Sequence, residues 1–211
     1  MSLVYGVGYL LVRALSFLLL PIYTNILSVN EAGVVFLFYT ILAFLNTLYN
    51  HGMDSALLKF FDVNNPKTVV TTSLVYSFFW GFSFSFLIIF CYKLLGFSYI
   101  YGDVLLSPLI IYYLCAILFF DMLSSRAMNI LRLTERPYYY LAVSFISVLV
   151  SFSFNYYYIK VLGVGINGVF LSLLIASFVQ IVLLAPILIS YFKLSDFSFS
   201  ILKKLLLFAL P

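Results

Sequence analysis

Charge is scarce in this chain. Asp, Glu, Lys and Arg make up 9% of the 211 residues, where a soluble domain carries about 25%. So few charges cannot cover a water-exposed surface, and 65% of the residues are hydrophobic. An ordinary soluble domain is thereby excluded and an integral membrane protein expected. Cysteine is equally rare. Cys91 and Cys115 each lie inside an apolar run, without CxxC spacing and without a neighbouring histidine. That excludes a zinc site or a disulfide framework and leaves two small packed side chains. No metal ligand set and no cofactor are expected. The small net charge of +4 is read as an orientation signal in loops rather than as a footprint for nucleic acid.

Catalytic patterns are missing too. The chain has no DDxxD or HxxxxD pattern, no P-loop and no nucleophile elbow. Ser, His and Asp occur without a triad-like arrangement. Gly163, Gly165 and Gly168 sit in "GVGING" with no strand–helix unit around them, so they make no dinucleotide site. A membrane enzyme such as a glycan polymerase would also need a large outer loop, and none is present. The expectation is that the protein is not an enzyme. The N-terminus lacks a basic region and a small-residue cleavage site, so it reads as a retained first helix.

What the chain does have is long apolar runs. A crossing helix needs roughly 20 mostly apolar residues. Six stretches qualify, at 3–27, 34–52, 69–95, 104–131, 138–159 and 167–192, and a seventh starts near Ile201. The expected division is a six-helix lobe over 1–192, then a cytoplasmic connection and the start of a seventh helix over 193–211. On this reading the chain is the N-terminal part of a longer protein. Tyr138–Tyr140 open the fifth run and Tyr156–Tyr158 close it. Their separation of about 18 residues rises roughly 27 Å, close to a hydrocarbon core. Tyrosines favour that boundary because the ring is apolar and the hydroxyl seeks water. With the N-terminus cytoplasmic, the inner connections hold Lys59, Lys67, Arg132, Arg136, Lys193, Lys203 and Lys204, and the outer ones only Lys93 and Lys160. That obeys the positive-inside bias.

Polar residues fall in stripes. Arg13 interrupts "LLVRALSFLLLPIYT". An arginine at mid-bilayer costs about 2.5–3.5 kcal/mol, while each Leu or Val returns about 0.3–0.6. Such a cation faces a bundle interior or a wet cavity; the alternative is a pairing with backbone carbonyls or a neighbouring helix. Tyr9, Arg13, Ser16 and Thr24 share one side of the first helix, and Tyr39, Asn46 and Asn50 one side of the second. On the fourth, Asp121, Ser125, Asn129, Arg132 and Arg136 fall within an arc of about 80°. On the fifth, Ser144, Ser147, Ser151 and Asn155 align. One stripe could be helix–helix glue; four point to a shared hydrated interior. Ser77, Gly81 and Ser85, four apart, read instead as a close-packing face. Gln180 adds one polar contact on the sixth helix. Arg126 lies off the fourth-helix stripe, and pathway and salt-bridge roles both stay open. His51 and Asp54 follow the second span near the inner boundary, where His51 reads as an interfacial residue rather than a proton relay; Arg132 with Glu135 and Lys59 with Asp62 read as local pairs.

Four segments carry a family resemblance: "RALSFLLLPIYTNILSVNEAGVVFLFYTI", "HGMDSALLKFF", "LGVGINGVFLSLLIASFVQIVLL" and "LKKLLLFALP". Across nearly the whole chain the sequence resembles bacterial polysaccharide-export flippases, a group related to multidrug and toxin extrusion transporters and to the lipid II flippase. The resemblance implies an all-α fold of about 12–14 helices in two lobes around a central cavity that rock to give alternating access. This chain would supply the first lobe and would need the C-terminal lobe as partner. The implied cargo is undecaprenyl-diphosphate-linked oligosaccharide, moved across the bacterial cytoplasmic membrane in building cell-surface polysaccharide such as lipopolysaccharide. Arg13 resembles, by its place in the helix, the cationic first-helix residue of the lipid II flippase. Arg13, Arg126 and Arg132 would then attract the diphosphate. Asn46, Asn50, Asp121, Ser125, Asn129, Ser147, Ser151 and Asn155 complete the expected cavity. Two alternatives remain: a cation-coupled drug exporter, disfavoured because Asp121 reads as the one deep carboxylate, and an inactive fragment.

Overall fold

The structure is a computed structural model, and it describes residues 19–61, 65–95, 100–101, 104–105 and 109–209. Arg13 and the rest of the expected first stripe before Leu19 lie outside the described residues. The elements follow as α1 (Leu19–Ile26), α2 (Val29–Asn50), α3 (Met53–Phe60), α4 (Pro66–Leu95), a short β1–β2 ladder (Ile100–Tyr101 with Val104–Leu105), α5 (Ile110–Leu133), α6 (Pro137–Tyr156), α7 (Ile166–Tyr191) and α8 (Phe199–Ala209). The protein is an all-α membrane protein: α2, α4, α5, α6 and α7 are each long and apolar enough to cross a bilayer.

Local chemistry sets the boundaries. Ser28 caps α2 in a capping box with Glu31, each side chain bonding the other's backbone N–H. Pro137 opens α6, where its missing N–H costs nothing. The expected fourth run began at 104, but α5 begins at Ile110; Val104–Leu105 pair with Ile100–Tyr101 in the antiparallel ladder instead. The aromatic and β-branched residues of "YIYGDVL" favour a strand pair over helix there. Between α2 and α3 the chain turns through two successive left-handed residues, His51 (φ 30°) and Gly52 (φ 76°). A β-carbon on Gly52 would lie 2.4 Å from the Ala209 carbonyl oxygen, so glycine also permits α8 to close on this elbow.

The helix at the centre is α5. In its most apolar stretch 61% of residues are buried, against 28% or fewer for the other four spanning helices. It packs most extensively on α7, and also on α4, α2, α3 and α6. Two apolar clusters flank it. One joins Val35, Phe38, Leu118, Met122, Val169 and Phe170; the other joins Met53, Leu57, Val70, Ile130, Leu131, Leu184 and Leu205. The outer faces are apolar as well. Phe79, Phe82 and Phe86 of α4 are 64%, 64% and 66% exposed, a distribution stable only where the surroundings are lipid tails.

The small-residue face of α4 meets α5. Arg126 Nε donates to Ser77 Oγ (3.2 Å), and a β-carbon on Gly81 would lie 2.6 Å from Met122 Cε, while Ser85 Oγ turns to α2 and shares a hydrogen bond with Tyr49 Oη (2.7 Å). Pro186 breaks the hydrogen-bond ladder inside α7. Beside it, Tyr139 Oη donates to the Leu183 carbonyl at 2.5 Å and ties α6 to α7 next to the break. The segment after residue 192 forms a 3₁₀ turn (Leu194–Asp196) and α8, which packs on α3 and α4.

Candidate functional site

The polar stripes of α2, α5 and α6 meet at a cavity of ≈ 530 Å³. Asn46 comes from α2; Asp121, Ser125, Asn129 and Arg132 from α5; Ser144 and Ser147 from α6; Gln180 from α7; and Asp54 from α3. Leu58, Met128, Val148 and Tyr140 complete the wall. The α5 residues follow one another at three- or four-residue steps, so they stand above one another on one face. Ser144 and Ser147 also bond their own helix, donating to the Tyr140 and Val143 carbonyls at 2.9 Å each.

Asp54 is the hub of the site. Its Oδ2 accepts from Ser125 Oγ at 2.7 Å, and its Oδ1 from Asn129 Nδ2 at 2.7 Å and from Arg126 Nη1. Arg126 is fully buried behind it, while the Asp54 side chain keeps 29% of its surface open. Arg126 therefore lies outside the cavity wall. The salt-bridge role is the one it takes, and of its donors Nη2 has no hydrogen-bond partner. Asp54, which was not among the expected cavity residues, stands on the cavity wall. Its partners lie 71 to 75 positions away in the chain, so no local spacing announces them. An aspartate in the first turn of the helix "MDSALLKF" was the one available signal.

The remaining expected residues divide. Asn50 is half-buried and donates to Asn46 Oδ1 at 2.5 Å, behind the wall. Asn155 is fully buried; it accepts from Tyr23 Oη (2.9 Å) and donates to the Ser151 carbonyl (2.8 Å). Tyr23 in turn shares a hydrogen bond with Tyr39 (3.1 Å). This cluster ties α1, α2 and α6 together and does not join the cavity. Arg132 does not pair with Glu135. It donates to Tyr140 Oη at 2.6 Å and stacks on that ring at 4.9 Å. Lys59 sits 3.9 Å from the Phe208 ring, and Asp62 lies outside the described residues.

The charge in the cavity is mixed. Asp54 is matched by Arg126. Asp121 accepts from Ser177 Oγ at 2.6 Å, and among the described residues no Lys or Arg forms an ion pair with it. Arg132 supplies the cation at the end of α5. Hence two carboxylates, not one, reach the cavity. Among the described residues no cluster of His, Cys, Asp and Glu could hold a metal ion.

A sequence model of the polysaccharide biosynthesis protein family matches residues 2–211. No curated protein and no solved structure matches the chain. The chain belongs to the polysaccharide biosynthesis protein family.

Proposed function

We propose that this family member acts in polysaccharide export as a flippase. Its cargo is undecaprenyl-diphosphate-linked oligosaccharide, and its place is the bacterial cytoplasmic membrane with the N-terminus inside. The observation that supports this best is the polar cavity of ≈ 530 Å³ between membrane-spanning helices. A glycan crossing a bilayer must exchange its water hydrogen bonds for protein ones. Asn46, Ser125, Asn129, Ser144, Ser147 and Gln180 offer donors and acceptors on several sides of one chamber. Arg132 offers a planar fork suited to phosphate oxygens. The action is transport by alternating access between this lobe and a second one, with no bond made or broken and no cofactor. The partners are the lipid-linked cargo, the bilayer and the second lobe.

A second reading, a cation-coupled exporter of drugs, is favoured by the two cavity carboxylates Asp54 and Asp121. Arg126 neutralises the first of them, which weakens it. One experiment separates the two. The protein is expressed in a strain lacking its polysaccharide flippase, and surface polysaccharide and tolerance of cationic dyes are both measured. Restored polysaccharide that falls at least tenfold with Arg132→Gln supports the flippase. Dye tolerance without polysaccharide supports the exporter.

A further inference from the structure

Asp121 and Arg132 share a helix and a cavity but stand at different depths. Both are on its wall. Eleven positions at 1.5 Å each place them about 16 Å apart along α5. Arg132 lies one residue from the end of that helix and is held by Tyr140, beside the exposed Tyr138. Asp121 lies mid-helix. Its 2.6 Å bond from Ser177 Oγ has the length of a charge-assisted O–H···O⁻ contact. A carboxylate has room for about four hydrogen bonds, and Ser177 fills one. The buried guanidinium of Arg126 is engaged by Asp54 and lies outside the chamber wall. Along the described wall, the chamber therefore runs from a cation at the helix end, past Ser125, Asn129 and the Asp54 carboxylate neutralised by Arg126, to an anion without an ion-pair partner among the described residues at mid-membrane.

Resting on the flippase reading above, we infer that this polarity selects the chemistry of the glycan. The diphosphate is held at Arg132, and the sugars that reach Asp121 carry hydroxyl or ammonium donors. Lipid-linked glycans whose lipid-proximal sugars are uronic acids are rejected. Two like charges brought together where water is scarce repel strongly, and selectivity built on repulsion needs only one such group. A hydroxyl or ammonium at the same place fills the open acceptor positions of Asp121 instead.

The test uses the full protein and three diphosphate-linked lipid disaccharides that differ in one sugar: a neutral hexose, a hexosamine with a free amine and a hexuronic acid. Binding is measured in detergent and translocation in proteoliposomes. The expected result is that the neutral and amino cargoes bind at least tenfold more tightly than the uronate, and that Asp121→Asn shrinks the preference below threefold. Equal affinity of the native protein for all three overturns the inference, and the native panel decides this even if a variant does not fold. If all three also move alike, the flippase reading stands alone. If none binds and none moves, both fall. A preference that survives in Asp121→Asn while gradient-driven movement stops assigns Asp121 to ion coupling and likewise overturns the inference.

Discussion

Replacing Asp54 by asparagine keeps the side-chain shape but removes the only carboxylate that pairs with Arg126 among the described residues. Breaking a buried ion pair from one side costs about 3–5 kcal/mol, because the remaining charge is stranded. Here Arg126 is fully buried, whereas Asp54 keeps 29% exposure toward the cavity, and the amide oxygen still accepts hydrogen bonds. These two features bring the cost to just below that range, about 2–3 kcal/mol. In a chain of this size each kcal/mol moves Tm by about 2–4 °C, so a fall of about 4–12 °C is expected. Arg126→Met is milder, about 1 kcal/mol, because Asp54 faces the cavity and retains Ser125 and Asn129. The double variant should resemble Arg126→Met alone, giving a coupling energy of about 2 kcal/mol. The assay is thermal unfolding in detergent followed by the fluorescence of Trp80. It is the chain's one tryptophan, with its ring 4.8 Å from His51 at the α2–α3 elbow. A Tm of Asp54→Asn within 2 °C of the native value, or a double variant as unstable as the two singles together, would refute the assignment of Arg126 to an ion pair.

Three further outcomes follow from packing. Gly168→Ala places a β-carbon 2.7 Å from Tyr158 Cβ, an atom fixed to its backbone, whereas Gly81→Ala meets the movable end of Met122 at 2.6 Å; the first should cost about 2 kcal/mol and the second less than about 1, as compared in thermal unfolding. Asn155→Ala removes one of the two hydrogen-bond partners of the buried Tyr23 hydroxyl and should cost about 1–2 kcal/mol, with Tyr23→Phe recovering part of it in the double variant. Tyr139→Phe removes the donor to the Leu183 carbonyl beside Pro186 and should lower stability by about 1 kcal/mol, with faster amide exchange around residues 183–187 as the local readout.

Much of the frame was legible because a bilayer imposes length and polarity on each helix separately. Pro137, the tyrosines at both ends of α6 and the apolar runs placed four spanning helices to within about five residues, as boundaries read from sequence allow. Only the start of α5 lay further out, since the paired residues Val104 and Leu105 are as apolar as a helix turn. The α5 stripe was legible by periodicity, and Asp121, Ser125, Asn129 and Arg132 do share one wall. Periodicity says which residues share a face but not what that face meets. The faces carrying Asn155 and Ser151 turn to α1 and their own helix, and Arg126 turns to Asp54 and Ser77. Pairings across 49 to 132 positions are products of packing alone.

The centrality of α5 bears on how the chain is made. Asp121, Arg126 and Arg132 sit on the helix that every other spanning helix packs around. Each charge costs about 2.5–3.5 kcal/mol to place at mid-bilayer, so two deep ones offset the gain from roughly ten leucines or isoleucines. Alone at the insertion machinery, α5 is a poor lipid-facing segment. Ser77 on α4 and Asp54 on α3 are synthesised before it and supply the partners that make its burial favourable. The helix on which the chamber is built thus enters the membrane after the segments that hold its partners.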